Sequence, residues 1–208
     1  MRLLESYGDA PALRCGAESL THAELAERVD RVARAYAGAR RLVLLTPRND
    51  IDSVVHHLAA LAADQVVLLC AEHARPGIVA AYDPDVVVTP DSGREWRREG
   101  TAHDLHPELA LLLSTSCSTG SPKLVRLSRE GLLANARAIG EALHIRPDDV
   151  AGLTLPLHYC YGLSVLHSHL LSGAAVRLDD ASVTDEGFWQ RAGDITTMAG
   201  VPHTFEDR

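Results

Sequence analysis

A loop of small and hydroxylated residues that ends in a Pro-Lys pair is the stretch of this sequence best suited to chemistry. It lies within 111–126, between two apolar runs. Hydroxyl groups and backbone N–H groups in such a loop can point at one place, and glycine lets the backbone bend to allow it. The residue types therefore predict a site for a phosphate group. The loop positions concerned are Ser114, Thr115, Ser116, Ser118, Thr119 and Gly120.

The lysine that closes this loop is unusual in the composition. Lysine and arginine together number 20, and Lys123 is the only lysine. A compact ammonium group acts as a point charge that suits a phosphate, whereas the planar guanidinium group favours bidentate pairing. We therefore expect the Lys123 ammonium group to contact a phosphate bound by the loop. The residue types alone are equally compatible with a Ser/Thr-rich connection that happens to contain a lysine.

Alternating helix and strand patterns on both sides of the loop would hold it in place. Apolar residues at three- and four-residue intervals predict helices, and short apolar runs predict buried strands. Such alternation predicts an α/β fold with a mostly parallel sheet flanked by helices. The predicted helices cover about 22–37, 50–62, 75–81, 129–143, 163–171 and 185–192. The predicted strands cover about 41–47, 65–70, 85–89, 111–115, 124–127, 149–155, 174–178 and 195–199.

A charged, turn-rich stretch predicts a boundary within the chain. Residues 91–110 contain few apolar runs, and we expect them to form a linker. The linker would separate a first α/β portion, 1–90, from a phosphate-loop portion, 111–208.

Composition narrows the classes of partner. The net charge is −8 and no basic block exists, which argues against nucleic acid or an anionic membrane surface as a partner. No apolar run is long enough to predict a membrane span. The four cysteines include no Cys-x-x-Cys pair, which favours a reducing compartment and hence the cytoplasm. The histidines at 56–57 and 167–169 have no carboxylate or cysteine at ligand spacing, so we predict no metal site there.

The segment 115–123 resembles the phosphate-loop signature of the adenylate-forming enzymes. This superfamily contains acyl-CoA synthetases, nonribosomal peptide adenylation domains and luciferases. Its signature has a Ser or Thr, then Ser-Gly, a Ser or Thr, then Thr-Gly, any residue, and Pro-Lys; eight of the nine positions agree here. The likeness continues along the chain in the family's order, at 7–13, 20–25, 155–162, 171–175 and 199–202.

The resemblance implies an ATP-dependent carboxylic acid ligase. In that family the acid attacks the α-phosphorus of ATP to give an acyl-adenylate, which then passes to the thiol of coenzyme A or of a carrier protein. By resemblance, Lys123 would be catalytic and would supply positive charge to the phosphates, and Mg²⁺ would be a second cofactor. The remaining loop residues implied to bind the nucleotide are Thr115, Ser116, Cys117, Ser118, Thr119 and Gly120.

One departure from the family pattern bears on activity. Cys117 stands where the family has glycine. If that position requires a positive φ, a Cβ atom there would cost about 1–2 kcal/mol and crowd the phosphates. A non-catalytic nucleotide-binding or assembly module that has lost the chemistry is therefore an alternative. A doubly wound domain of unrelated function is a third alternative, and it would have to match two family signatures by accident.

The second signature implies the residues on the acid side. The family's usual aromatic position holds His158, and its usual histidine position holds Tyr159. By resemblance these two residues, with Tyr161 and Gly162, would bind the small carboxylic acid. In the alternative interpretation, Tyr159 and Tyr161 pack beneath the next helix.

The family's later segments are absent from these 208 residues. They include an aromatic-Gly-x-Thr-Glu segment for adenine and magnesium, a Tyr-x-x-Gly-Asp segment for the ribose, and a mobile C-terminal domain with a catalytic lysine. The resemblance therefore implies an N-terminal fragment, which we expect to be inactive alone. Apolar surface left bare by the truncation would promote self-association.

Overall fold

A computed structural model describes residues 7–114, 123–181 and 186–201. The described residues form two compact units. The first unit holds 27–48, 52–114 and 123–133. The second unit holds 7–26, 49–51, 134–181 and 186–201.

Strands and helices alternate through most of the described chain. The strands are β1 (Pro11–Cys15), β2 (Glu18–Thr21), β3 (Leu42–Leu45), β4 (Val66–Leu69), β5 (Val86–Thr89), β6 (Gly93–Trp96), β7 (Leu109–Ser114), β8 (Leu124–Ser128), β9 (Val150–Leu153), β10 (Ala175–Leu178) and β11 (Thr197–Met198). The helices are α1 (His22–Arg34), α2 (Ile51–Ala62), α3 (Arg75–Tyr82), α4 (Arg129–Ala142), α5 (Cys160–Leu171) and α6 (Glu186–Arg191).

The first unit contains a six-stranded sheet in the order β6-β5-β3-β4-β7-β8. Strands β5, β3, β4 and β7 are parallel, and the edge strands β6 and β8 are antiparallel to their neighbours. Every residue of β3, β4 and β5 is buried, as expected of parallel strands that are covered on both faces. Leu44, Leu68, Val87 and Leu112 pack in one core cluster with Ile78 of α3.

Buried polar groups form hydrogen bonds at the amino ends of the strands in this sheet. The Asp85 carboxylate accepts hydrogen bonds from the Leu42 and Ala102 N–H groups at 2.9 and 3.0 Å, and from the Thr101 hydroxyl at 2.8 Å. Burial alone would raise the pKa of Asp85, but these bonds outweigh burial and hold the pKa below its usual value. The Gln65 side-chain oxygen accepts the N–H of residue 41 at 2.9 Å. These groups fix the starts of the three central strands.

The second unit contains a five-stranded sheet in the order β11-β9-β10-β1-β2. All its neighbours are parallel except the β1–β2 pair. Helix α1 starts with a capping box: the Thr21 N–H donates to the Glu24 carboxylate at 2.9 Å, and the Glu24 N–H donates to the Thr21 hydroxyl at 3.2 Å. Such reciprocal capping satisfies two N–H groups at the helix start.

The α/β prediction, with mostly parallel sheet flanked by helices, is confirmed, although the strands divide between two sheets. The sequence patterns did not predict β1, β2 or β6. Strand β6 lies inside the predicted linker and pairs with β5, with Gly93 opposite Thr89. Residues 91–110 therefore belong to the first unit, and the structural division differs from the predicted portions 1–90 and 111–208.

Candidate functional site

The hydroxyl-rich loop is flanked in the sequence by two paired strands of the first unit. Strands β7 and β8 are antiparallel, and Ser114 lies opposite Leu124 in their ladder. The described residues on either side of 115–122 are therefore neighbours across one strand pair. Lys123 is exposed and directly precedes β8. The other predicted nucleotide-binding positions, Thr115, Ser116, Cys117, Ser118, Thr119 and Gly120, lie outside the described residues.

The place of this loop in the sheet fits a binding function. It follows the carboxyl end of β7, which runs parallel to β4. In open α/β sheets, ligands bind outside the carboxyl ends of the parallel strands. Two buried polar groups of this unit, Asp85 and Gln65, lie at the amino ends of the strands, because each directly precedes its strand. The contacts of these two side chains are therefore at the ends of the strands away from the loop.

The segment 155–162 contains the four residues predicted to bind the acid and is called the acid-side segment below. It lies in the second unit and covers the turn after β9 and the start of α5. After β9 the chain turns, and the Tyr159 N–H donates to the Pro156 carbonyl at 3.0 Å. Tyr159 is extended at the N-cap of α5, and its carbonyl accepts the Leu163 N–H at 3.1 Å. The segment therefore folds as a tight turn that leads directly into a helix.

Gly162 allows this turn to pack against the first turn of α5. A Cβ atom at Gly162 would lie 2.6 Å from the Pro156 carbonyl oxygen and 2.8 Å from that of Leu155. Those distances are far below van der Waals contact, and both neighbours are backbone atoms. The residue is glycine because of close backbone approach, which is a sufficient reason for it without any ligand.

The two tyrosines of the segment face solvent. Tyr159 is 44% exposed and Tyr161 is 41% exposed, and the Cys160 side chain between them is also exposed. His158 is half-buried in the turn. The tyrosine rings are therefore not packed under the helix, and they leave an aromatic surface at the start of α5. The four predicted acid-binding residues are close in the sequence and lie in the turn before α5 and in its first turn, and their role in binding an acid stays a prediction.

The rest of α5 is buried, and its histidines belong to the core. Burial lowers the pKa of His167 to about 4. The His169 ring lies 2.9 Å from the Val165 carbonyl oxygen and 3.0 Å from the Thr197 hydroxyl, so both of its nitrogens have partners. Across 7–114, 123–181 and 186–201, no group of three or more His, Cys, Asp or Glu side chains could hold a metal ion. None of the helices described is long and apolar enough to cross a membrane.

Asn49 lies at the carboxyl ends of β9 and β10, and the sequence patterns did not identify it. It is 4% exposed, and its side chain contacts the segment that precedes α5. A single asparagine in a turn carries no periodic signal, so only the fold reveals its position.

Comparison with known proteins agrees with the architecture described above. The structure of ATP-bound MatB from Rhodopseudomonas palustris matches with a TM-score of 0.81 at 20% identity, over 98% of this chain and 49% of that one. The two sheets with flanking helices are thus the fold of the N-terminal domain of adenylate-forming enzymes. The pattern of the family described as AMP-binding enzyme matches residues 36–207, and the chain belongs to that family.

Two relatives show how much of a longer protein this chain resembles. The 2-succinylbenzoate–CoA ligase of Staphylococcus epidermidis is 26% identical over an alignment of 223 positions. The alignment covers 97% of this chain and 47% of the ligase. The non-ribosomal peptide synthetase CmlP of Streptomyces venezuelae is 28% identical over 220 residues, which cover 90% of this chain and 22% of the synthetase. The chain therefore spans about half the length of that ligase.

Proposed function

We propose that this chain is the N-terminal part of an acid–thiol ligase that uses ATP. A carboxylate oxygen of the acid bonds to the α-phosphorus of ATP, and the bond from that phosphorus to the bridging oxygen of pyrophosphate breaks. A thiol then attacks the acyl carbon of the adenylate, releasing AMP and forming a thioester. The family match over 36–207 carries this proposal, because that span contains both signatures.

The loop residues would bind the nucleotide in this proposal. Phosphoryl chemistry is catalysed mainly by positioning and by neutralising charge on phosphate oxygens. Exposed Lys123, at the end of the β7–β8 connection, has the position and the charge for that role. Hydroxyl and backbone donors from Thr115 to Gly120 would complete the cradle, with Cys117 among them.

The acid would bind at the start of α5. Tyr159 and Tyr161 offer exposed rings with polar tips, and His158 lies beside them. Gly162 contributes by keeping the turn close to the helix. The acceptor is either coenzyme A or a carrier-protein thiol, and the name of the related 2-succinylbenzoate–CoA ligase supports coenzyme A.

When bound, Mg²⁺ would neutralise phosphate charge. Within the part of the chain that the structure describes, no cluster of ligating side chains fits it. We therefore assign no step to a metal held by these residues. The chain spans only about half of the related ligase, so we also propose that it does not complete the reaction alone. We further propose that it self-associates and that the whole protein acts in the cytoplasm.

Acid-dependent exchange of labelled pyrophosphate into ATP tests the ligase proposal in the full natural protein that carries these residues. The probes are 2-succinylbenzoate, a mixture of the standard amino acids, and short- and medium-chain fatty acids. We expect exchange with one probe class and none when acid is omitted. Absence of exchange with every class, in protein that is folded by circular dichroism, would contradict the proposal.

The alternative of a non-catalytic module depends on Cys117 and has its own test. If a Cβ atom there blocks the phosphates, Cys117→Gly should produce acid-dependent exchange that the native protein lacks. Exchange that is equal in both proteins would show that cysteine is tolerated. Exchange in neither protein, together with retained ATP binding, would favour the non-catalytic module.

A further inference from the structure

Asn49 holds three carbonyl groups at the carboxyl edge of the second sheet. Its side-chain nitrogen lies 3.3 Å from the Leu153 carbonyl oxygen, 3.3 Å from that of Leu155 and 3.2 Å from that of Asp179. An amide nitrogen carries only two hydrogens, so one N–H is shared between two acceptors. The side chain is buried, and removing it would leave buried acceptors without this donor.

These carbonyls lie at the ends of two neighbouring strands and at the start of the acid-side segment. Leu153 ends β9, and Asp179 directly follows β10, which is parallel to β9. Leu155 is the first residue of the signature 155–162. One side chain therefore ties the start of that segment to the ends of the two strands from which the site projects.

Asn49 is itself fixed through its backbone. Its N–H donates to the Asp180 carboxylate at 3.0 Å, and its carbonyl lies 3.8 Å from the Cys15 sulfur at the end of β1. Strands β9, β10 and β1 are adjacent in the sheet. Asn49 is thus held at the ends of three neighbouring strands. Its side-chain amide can therefore fix the position of the turn that precedes α5.

We propose that Asn49 is a positioning residue for the acid-binding segment. It holds the Leu155 carbonyl, and that carbonyl and the Pro156 carbonyl form the surface against which Gly162 packs. The orientation of Tyr159 and Tyr161 at the start of α5 follows from this packing. The proposal that these tyrosines meet an acid rests on the proposed function above, whereas the mechanical role of Asn49 does not.

Hydrogen exchange in the 208-residue chain tests the mechanical role. Asn49→Ala removes the donors, and Asn49→Ser is a milder variant that keeps one donor. We expect exchange in peptides covering 154–163 to rise about tenfold in Asn49→Ala and less in Asn49→Ser, while β3 and β4 exchange as before. Equal acceleration in all peptides, or none at 154–163, would overturn the proposal.

Gln65→Ala is the matched control. Gln65 is also a buried amide, 2% exposed, and its nitrogen donates to the Ala63 carbonyl at 2.9 Å in the first unit. Its loss should accelerate exchange around β4 and leave 154–163 unchanged. If Gln65→Ala also loosens 154–163, the local role of Asn49 is refuted.

Pyrophosphate exchange in the full natural protein tests the link to the acid. With the probe class that supports exchange, Asn49→Ser should raise KM for the acid about tenfold and leave KM for ATP within about twofold. An equal rise in both KM values would refute the link. If the native protein exchanges with no probe, the proposed function fails, and the hydrogen-exchange result still decides the role of Asn49.

Discussion

Buried polar side chains contact strand amino ends in the first unit and strand carboxyl ends in the second unit. In the first unit Asp85 and Gln65 lie at the amino ends of β5 and β4, and the hydroxyl-rich loop follows the carboxyl end of β7. In the second unit Asn49 lies at the carboxyl ends of β9 and β10, next to the segment 155–162. The contacts of Asp85 and Gln65 are therefore away from the loop, whereas those of Asn49 are adjacent to the segment 155–162.

This difference has a direct consequence for mutations. A change at the polar edge of the first sheet should reduce stability and leave the affinity for nucleotide unchanged. A change near 155–162 should affect stability and acid binding together. Measurements of stability and ligand affinity on the same variants therefore test this difference between the two units.

The largest effect is expected for Asp85→Ala. The substitution leaves the Leu42 and Ala102 N–H groups and the Arg98 guanidinium without their carboxylate. Unfolding in urea should show a loss of about 3–5 kcal/mol. The milder Asp85→Asn, which keeps the shape, should lose less. ATP affinity of the folded Asp85→Asn protein should equal that of the native chain; a weaker affinity would show that the two edges of the sheet are coupled.

The second effect is a pH dependence that originates in α5. The pKa of His167 is lowered from 6.5 to about 4 because the buried ring resists protonation. The unfolded chain takes up the proton near pH 6.5, so stability is complete above that pH and falls between 6.5 and about 4. The loss should reach about 3 kcal/mol by urea unfolding.

The variant His167→Leu isolates this titration. It keeps an apolar side chain of similar size in the core, so the stability between pH 6.5 and 4 should vary less than in the native chain. Asp85 acts in a lower window: its lowered pKa makes its contribution complete above 3.8 and lost as the pH falls through the lowered value. An unchanged slope between pH 6.5 and 4 in His167→Leu would assign that slope to other groups.

A smaller effect is expected for Gly162→Ala. Its Cβ would meet two carbonyl oxygens of the preceding turn, so the turn or the helix must shift. Unfolding should show a loss of about 1–3 kcal/mol. The shift should also change thiol labelling of the exposed Cys160 in the folded protein. Native stability and an unchanged labelling rate in this variant would show that the turn is more yielding than the distances indicate.

The regular elements were largely predictable from the sequence. The helices α1 to α6 end within three residues of their predicted bounds, because apolar spacing records a buried helical face. Fully buried strands such as β3 and β4 are equally clear as apolar runs. Strands β1, β2 and β6 were not predicted because they mix polar with apolar residues.

The polar contacts were less predictable. Asp85 is an ordinary aspartate in the sequence, and its burial depends on partners such as Thr101 that the fold brings to it. Asn49 similarly meets carbonyls more than a hundred positions away in the chain. By contrast, composition and likeness to a family signature predict a role for Lys123 and the loop before it, and that role stays a prediction.

Calorimetric titration of the 208-residue chain with ATP, beside Lys123→Ala, tests the central claim most directly. Lys123 is exposed at the edge away from Asp85, so its removal should leave urea unfolding within about 0.5 kcal/mol of the native chain. ATP affinity should fall about tenfold, as expected on loss of one charge-assisted contact to a phosphate. Equal heats and equal affinities for the two proteins would contradict the assignment of this loop to the phosphates of ATP.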